Sequence, residues 1–153
     1  MSTCPVFREI NPADMQAIFD VRVATWHNDN GHEELIRLGI NHASVQEMLK
    51  RTHRGWLCEI GSKVIGFAMG DRSNGEMWVI AVVKEHEGKG IGRRLLKLVE
   101  DWLFDEGWDD IWLTTDPDED FRAVGFYRHL GWADWKIDPD GDRFMRKKKQ
   151  EVG

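Results

Sequence analysis

The feature that most limits the fold is one unbroken pattern near the middle of the chain. An apolar run over residues 77–83 leads through a glycine-rich turn into a long amphipathic helix. A run of that kind is what a strand covered on both faces requires. The turn, Gly88-Lys89-Gly90-Ile91-Gly92, opens directly into a helix with Ile91, Leu95, Leu98, Val99, Trp102 and Leu103 on one stripe, ended by Gly107. Glycines let a backbone approach a ligand closely, and the first helical N–H groups lack internal partners. With the helix dipole they form an anion site suited to a phosphate or pyrophosphate. Lys84, Lys89, Arg93, Arg94 and Lys97 outnumber Glu85 and Glu87 here, in a chain whose net charge is −6. The same turn also serves as a plain tight connection. A dinucleotide fingerprint needs glycine where Arg93 stands. A nucleoside-triphosphate loop needs Ser or Thr where Gly90 follows Lys89. Both patterns fail.

Around this centre the periodicity alternates strands and helices without a repeat or a linker, so the 153 residues read as one domain. Residues 6–10 predict a short strand. Asn11-Pro12-Ala13-Asp14 opens a helix with a cap, a first-turn proline and an acid, and Met15, Ile18, Phe19 and Val23 follow at helical spacing. A polar stretch leads to a second helical segment, and Ser44-Val45-Gln46-Glu47 has the form of a capping box for a third. Residues 56–60 and 64–69 around Gly61-Ser62 predict a hairpin. Beyond the long helix come a strand over 111–114, an acidic loop over 116–120 and a short helix carrying Ala123, Phe126, Tyr127 and Leu130. A hairpin over 132–145 ends the pattern, and the four cations at 146–149 read as a solvated basic tail. Hairpins mixed with strand–helix crossovers predict an α/β (α+β) domain with a mixed sheet.

Composition excludes several classes. With 41% hydrophobic residues, 8 Trp and 7 Phe the chain can bury a core and is not disordered. A net charge of −6 removes the electrostatic basis for sequence-independent nucleic-acid binding. No apolar run approaches the ~20 residues that span a bilayer. The start, Met1-Ser2-Thr3-Cys4-Pro5, lacks a secretory pattern. Cys4 and Cys58 have no metal-ligand spacing and read as two reduced thiols of a cytoplasmic protein. Asp116, Asp118 and Asp120 imitate a calcium loop, but Phe121 stands at the required glycine and Tyr127 at the bidentate Glu. His32-Glu33-Glu34 lacks the second histidine of a zinc helix, so no metal is expected.

Two further side chains carry candidate chemistry. Tyr127 is the only tyrosine. A neutral tyrosine with a pKa of ~10 can donate a proton to a departing thiolate whose acid lies near ~8.5. Core aromatics are the plainer reading of Phe126 and Tyr127. Glu76 opens the central strand, and period-two alternation puts it on one face with Trp78, Ile80 and Val82. Partial burial there would raise its pKa and make it a base near neutrality. A solvated turn residue is the plainer reading.

Together these parts resemble the GNAT family, the acetyl-CoA-dependent N-acetyltransferases. Its signature, Gln/Arg-x-x-Gly-x-Gly/Ala after a central strand, reads here Glu87-Gly88-Lys89-Gly90-Ile91-Gly92, with Glu87 in place of Gln or Arg. Its late Phe-Tyr helix reads Phe126-Tyr127-Arg128-His129-Leu130-Gly131-Trp132. The order of elements agrees from about Val6 to Met145, least over residues 28–54. The resemblance implies a mixed, mostly antiparallel central sheet flanked by helices, and acetyl-CoA as acetyl donor. Backbone N–H groups of Gly88, Lys89, Gly90, Ile91, Gly92 and Arg93 would hold the pyrophosphate. The backbone around Ile80, Val82 and Val83 would pair with the pantetheine arm, with the acetyl carbonyl polarised near Ile80. Asp120, Ala123 and Phe126 complete the implied cofactor wall, Asp120 standing where Asn is common. Tyr127 becomes the general acid and Glu76 the general base, a role that many members give to water chains. The implied acceptor is a primary amine, small and cationic or on a peptide. Residues 22–34 and the acidic loop near Asp118 are its expected walls, favouring a cation. The alternative is a non-catalytic acyl-CoA sensor acting through a partner, which the pairing of Tyr127 with Glu76 disfavours. A homodimer is common in the family, and the sequence leaves the oligomeric state open.

Overall fold

The computed structural model describes residues 4–25, 39–115, 121–139 and 143–149, the side chains of 121–123 excepted. β1 (Val6–Glu9), a 3-10 turn (Pro12–Asp14), α1 (Met15–Ala24) and α2 (His42–Arg51) precede the hairpin of β2 (His53–Ile60) and β3 (Lys63–Asp71). Then follow β4 (Glu76–Val82), a second 3-10 turn (Lys84–His86), α3 (Ile91–Asp105) and β5 (Asp110–Thr115). α4 (Phe121–His129), β6 (Ala133–Ile137) and β7 (Arg143–Lys148) complete the order. The strands form one seven-stranded sheet in the order β1-β2-β3-β4-β5-β7-β6. Only β4 and β5 run parallel, so the sheet is mixed and mostly antiparallel as expected. No helix among the described residues is long and apolar enough to cross a membrane.

Local chemistry fixes the element ends. Asn11 accepts from the Ala13 amide while Asp14 accepts from the Asn11 amide, closing a capping box around Pro12. Arg8 donates to both Asp14 oxygens at 2.8 Å, tying β1 to the start of α1. That guanidinium holds the Asp14 carboxyl below the ordinary carboxylate range. α2 begins before the box predicted at Ser44. Asn41 is its cap, and Ser44 exchanges 2.9 Å hydrogen bonds with it as the third helical residue. Gly61 and Ser62, both at positive φ, make the tight β2–β3 turn.

The sheet is covered on both faces. Met15, Ile18 and Val21 of α1 and Val45 of α2 pack on Leu57, Phe67, Met69 and Ala81. On the other face α3 and α4 cover Ala68, Met77, Ile111, Leu113 and Met145. Gly70 permits the close approach of α3, since a Cβ there would lie 2.7 Å from Val99 Cγ1. Two expectations change on this face. Leu96 and Glu100 join the buried side of α3, while Leu98 is only half-buried. Arg146, Lys147 and Lys148 are strand and not tail: they extend β7 along β5, opposite Trp112, Ile111 and Asp110, with Arg146 and Lys148 exposed as expected. Lys147 turns inward, donating to buried Glu100 at 2.7 Å and to the Leu130 carbonyl at 2.8 Å. A cation can sit there because a carboxylate and a carbonyl satisfy it.

Candidate active site

β4 and β5 pair at one position only, Glu76 opposite Trp112, and are unpaired beyond it. A bulge in β4 sets what the opening exposes. Gly70 lies opposite Met77 and Met69 opposite Val79, so Trp78 is the extra residue. Trp78 and Val79 therefore both pack on the α1 side, and Ile80 and Val82 turn to the α3 side. The expected alternation is corrected: Glu76 shares a face with Trp78 but not with Ile80 or Val82. The bulge breaks the period-two pattern between them.

The same bulge sets the backbone. The Val83 amide donates to the Ile65 carbonyl at 2.9 Å, and the antiparallel alternation counted back from it aims Val79 and Ala81 at β3. The N–H and C=O of Ile80 and Val82 consequently aim at the gap between β4 and β5. Val83 does not join them, a second correction. Its amide is bound to Ile65, and its carbonyl accepts from the His86 amide at 3.0 Å.

The glycine turn closes one end of this gap. Gly88 and Gly90 sit at φ +79° and +80°, where a side chain is strained, with open space where a Cβ would be. The first amide bonded within α3 is that of Arg94, to the Gly90 carbonyl at 3.1 Å. The amides of Ile91, Gly92 and Arg93 precede it and have no intrahelical acceptor. Lys84, Lys89, Arg93 and Arg94 surround them, all exposed. Arg94 lies over the Phe7 ring, 4.9 Å from its centroid. The Glu87 amide is used by the Lys84 carbonyl, and its side chain is exposed. Gly92 joins the pieces: a Cβ on it would stand 3.7 Å from Phe126 and Val82 and 4.0 Å from Ile80. Asp120 and the Ala123 side chain lie outside the described residues.

Tyr127 is buried with its ring edge-on to Phe126 and Trp132, at 5.5 and 6.1 Å. The end of its helix is pinned. The Trp132 amide donates to the Tyr127 carbonyl, and the Trp132 indole donates to Glu100 at 3.0 Å. Burial pushes the Tyr127 phenol up to about 12, with the Arg22 charge pulling the other way. That differs from the ordinary value assumed from sequence, because the side chain is buried.

Glu76 opens on the opposite side of β4. The turn before it is built to hold it: Asn74 Oδ1 accepts from the Glu76 amide at 3.0 Å. The Trp108 and Trp112 indoles donate to the Arg72 and Asn74 carbonyls at 2.8 and 2.9 Å. Half-buried, Glu76 has its pKa raised, first by burial and then by Asp71 across the hairpin, while a hydrogen bond from Asn74 opposes. It lines a cavity of about 290 Å³ between α1, α2 and strands β3 to β5. Arg22 is the cation among the described lining residues, and Phe19, Met69, Trp78 and Val79 are among the apolar ones. Period-two alternation already put Trp78 on the Glu76 face, but it gave no sign of Asp71. The hairpin register alone would have put Asp71 beside Glu76. Of the expected acceptor walls, residues 26–38 and the 116–120 loop lie outside the described residues.

This architecture defines a class. The structure of PaiA N-acetyltransferase from Thermoplasma acidophilum in complex with coenzyme A superposes with a TM-score of 0.83. That match covers 95% of this chain and 99% of that one, at 18% identity. The model of the Acetyltransferase (GNAT) family matches residues 15–132, and the chain belongs to that family. An uncharacterized N-acetyltransferase of Methanocaldococcus jannaschii is 33% identical over 102 residues, covering 61% of this chain and 65% of that protein. Serotonin N-acetyltransferase 2 of Oryza sativa subsp. japonica is 31% identical over 128 residues, 77% of this chain and 56% of that protein. The chain spans from about a fifth to about two thirds of the length of the curated relatives it matches.

Proposed function

We propose that this chain moves an acetyl group from acetyl-CoA directly to a primary amine. The observation that carries the reading is the meeting of two donor sets. The free Ile80 and Val82 backbone at the open edge of β4 runs toward the unbonded amides of Ile91, Gly92 and Arg93. Such a groove suits a long ligand with a peptide-like arm and a polyanionic end. The arm adds to the strand edge by backbone hydrogen bonds. The anionic end takes the helix amides and the field of Lys84, Lys89 and Arg93. A Cβ at Gly88 or Gly90 would intrude on open space beside those amides.

Bound there, acetyl-CoA supplies an acyl group already activated as a thioester. The chain supplies the rest. The outward N–H near Ile80 donates to the carbonyl oxygen as its charge grows. Glu76, on the cavity side, takes the proton that an ammonium of pKa ~10.4 must lose before its nitrogen can attack. The C–N bond forms and the C–S bond breaks. The Tyr127 hydroxyl donates a hydrogen bond to the departing sulfur, and the second proton shed by the new amide nitrogen ends on that sulfur as the free thiol. Cys4 and Cys58 take no part. Cys58 is buried, and burial raises its thiol pKa.

The test is thiol release from acetyl-CoA by the purified chain in the presence of amines, repeated with Glu76→Gln. The reading expects amine-dependent release that falls about 10²- to 10⁴-fold in the variant. Acetyl-CoA affinity should stay unchanged. Acetyl-CoA binding without release at any amine would instead favour a non-catalytic sensor.

A further inference from the structure

We infer that His53 is a positioning residue for the base: acting through Asp71, it offsets the negative charge that faces Glu76 and keeps Glu76 ionised as the medium turns mildly acidic. This rests on the acetyl-transfer reading and adds a residue to it. The observation is a row of three titratable side chains across the sheet. His53 of β2 is directly opposite Asp71 of β3, and Asp71 is directly opposite Glu76 of β4. Residues paired in this way share a face and hold their Cβ atoms about 5 Å apart. That face is the one under α1 and α2, where Glu76 lines the cavity. Asp71 is aimed along the row. Its Oδ1 accepts from the Ser73 amide at 2.8 Å and from the Ser73 hydroxyl at 2.6 Å, which leaves Oδ2 3.7 Å from His53 Nε2. At the far end His53 Nδ1 lies 2.7 Å from the Thr52 hydroxyl, and the Trp78 ring meets the His53 ring edge-on at 4.8 Å.

The other charges around the row have their own places. Arg22 of α1 lines the cavity with Glu76. Arg72 donates to the Arg51 carbonyl at 2.8 and 3.1 Å and stands 3.7 Å from Glu106. On α2, Glu47 and Arg51 pair at 2.8 Å, Lys50 is exposed, and His42 stacks on Phe19. β5 brings Trp112 and Thr114 to this side. Among the described residues, His53 is therefore the group opposite Asp71 that can gain a positive charge near neutral pH. Burial lowers the His53 pKa, and Asp71 draws it back up. Burial raises the Glu76 pKa, and Asp71 adds to the rise. One carboxylate thus opposes the ionised base and favours the protonated imidazole. A proton on His53 compensates Asp71, so Glu76 stays charged at a pH where Asp71 alone would have it protonated. Two strand spacings put His53 and Glu76 about 10 Å apart. Unit charges at that separation, partly buried, shift one another by about 0.5–1 pH unit. The coupling is reciprocal, so the Glu76 charge raises the His53 midpoint equally.

The experiment has two arms, both on the purified full chain. In the first, NMR follows the His53 ring through a pH titration without substrate, in the parent, in Glu76→Gln and in Asp71→Asn. The midpoint should fall in both variants, by about 0.5–1 pH unit in Glu76→Gln and further in Asp71→Asn, which removes the nearer charge. The second arm reads the acid limb of the pH–kcat profile for amide formation, in the parent and in His53→Gln. The limb should move up by about 0.5–1 pH unit. With Asp71→Asn already present it should move less than half as far, because burial alone keeps the imidazole neutral. The position of the limb is read and not its height, so lost packing on Trp78 cannot imitate the effect. Where His53→Gln does not fold, the first arm decides by itself. A His53 midpoint unmoved in Glu76→Gln, or an acid limb unmoved in His53→Gln, overturns the inference and leaves acetyl transfer standing. Acetyl-CoA bound with no amide from any amine overturns the transfer reading, and with it the role of His53, whatever the midpoints show.

Discussion

Replacing Tyr127 with Phe removes one O–H from an aromatic setting that otherwise stays the same. The ring keeps its edge contacts with Phe126 and Trp132, and the helix end stays pinned through Trp132 and Glu100. Stability should therefore change by no more than about 1 kcal/mol. The catalytic effect follows from the phenol's acidity. Burial holds it at about 12, whereas the coenzyme thiol lies near ~8.5. Full proton transfer to the departing sulfur is uphill by roughly 3.5 pKa units, about 5 kcal/mol. Tyr127 thus acts chiefly by a hydrogen bond to sulfur as its charge develops, and a bond to a charged group is worth about 1.5–3 kcal/mol. Tyr127→Phe should lower kcat about 10- to 100-fold and leave KM for acetyl-CoA within about twofold. The assay is thiol release at saturating amine, with thermal unfolding as a control. A kcat within about twofold of the parent removes Tyr127 from the mechanism, and a loss beyond about 10³-fold refutes the hydrogen-bond magnitude.

Other outcomes follow from the same contacts. Glu76 must be deprotonated to work and its pKa is raised, so kcat should fall as pH drops through a value above 4.5. Asp71→Asn removes one cause of that rise and should move the acidic limb to lower pH, read from a pH–kcat profile. The charged form of Glu76 is the disfavoured one in the folded state, so Glu76→Gln should unfold at higher temperature near neutral pH while losing activity. Gly90→Ala forces a Cβ at φ +80°, at about 1–2 kcal/mol, and should raise the acetyl-CoA dissociation constant about 10-fold by calorimetry. Lys147→Met strands the buried Glu100 charge and should cost about 3–5 kcal/mol in urea unfolding, most of it recovered when Glu100→Gln is added.

What the sequence made legible was whatever local chemistry decides alone. The Gly61-Ser62 turn, the Asn11 cap and the glycine turn into α3 each depend on a few adjacent residues, and the structure has them where they were expected. The parts that escaped depend on distant partners. Which way Ile80 and Val82 face follows from a bulge at Trp78, and that bulge exists only through the pairing with Gly70. Arg146 to Lys148 look like a tail until β5 is seen beside them, and Lys147 looks solvated until Glu100 is seen beneath it. Tyr127 was visible as a residue, but its raised pKa comes from the surrounding packing. The cavity is assembled from five elements, so its apolar character could not be read along the chain.

The central claim is that one groove delivers acetyl to an amine held at Glu76. The most direct test uses acetyl-CoA labelled in the acetyl group and follows label and thiol together across a panel of primary amines. The account predicts one labelled amide for each thiol released, with both lost in Glu76→Gln. Thiol released with the label recovered as acetate or attached to the protein would contradict it.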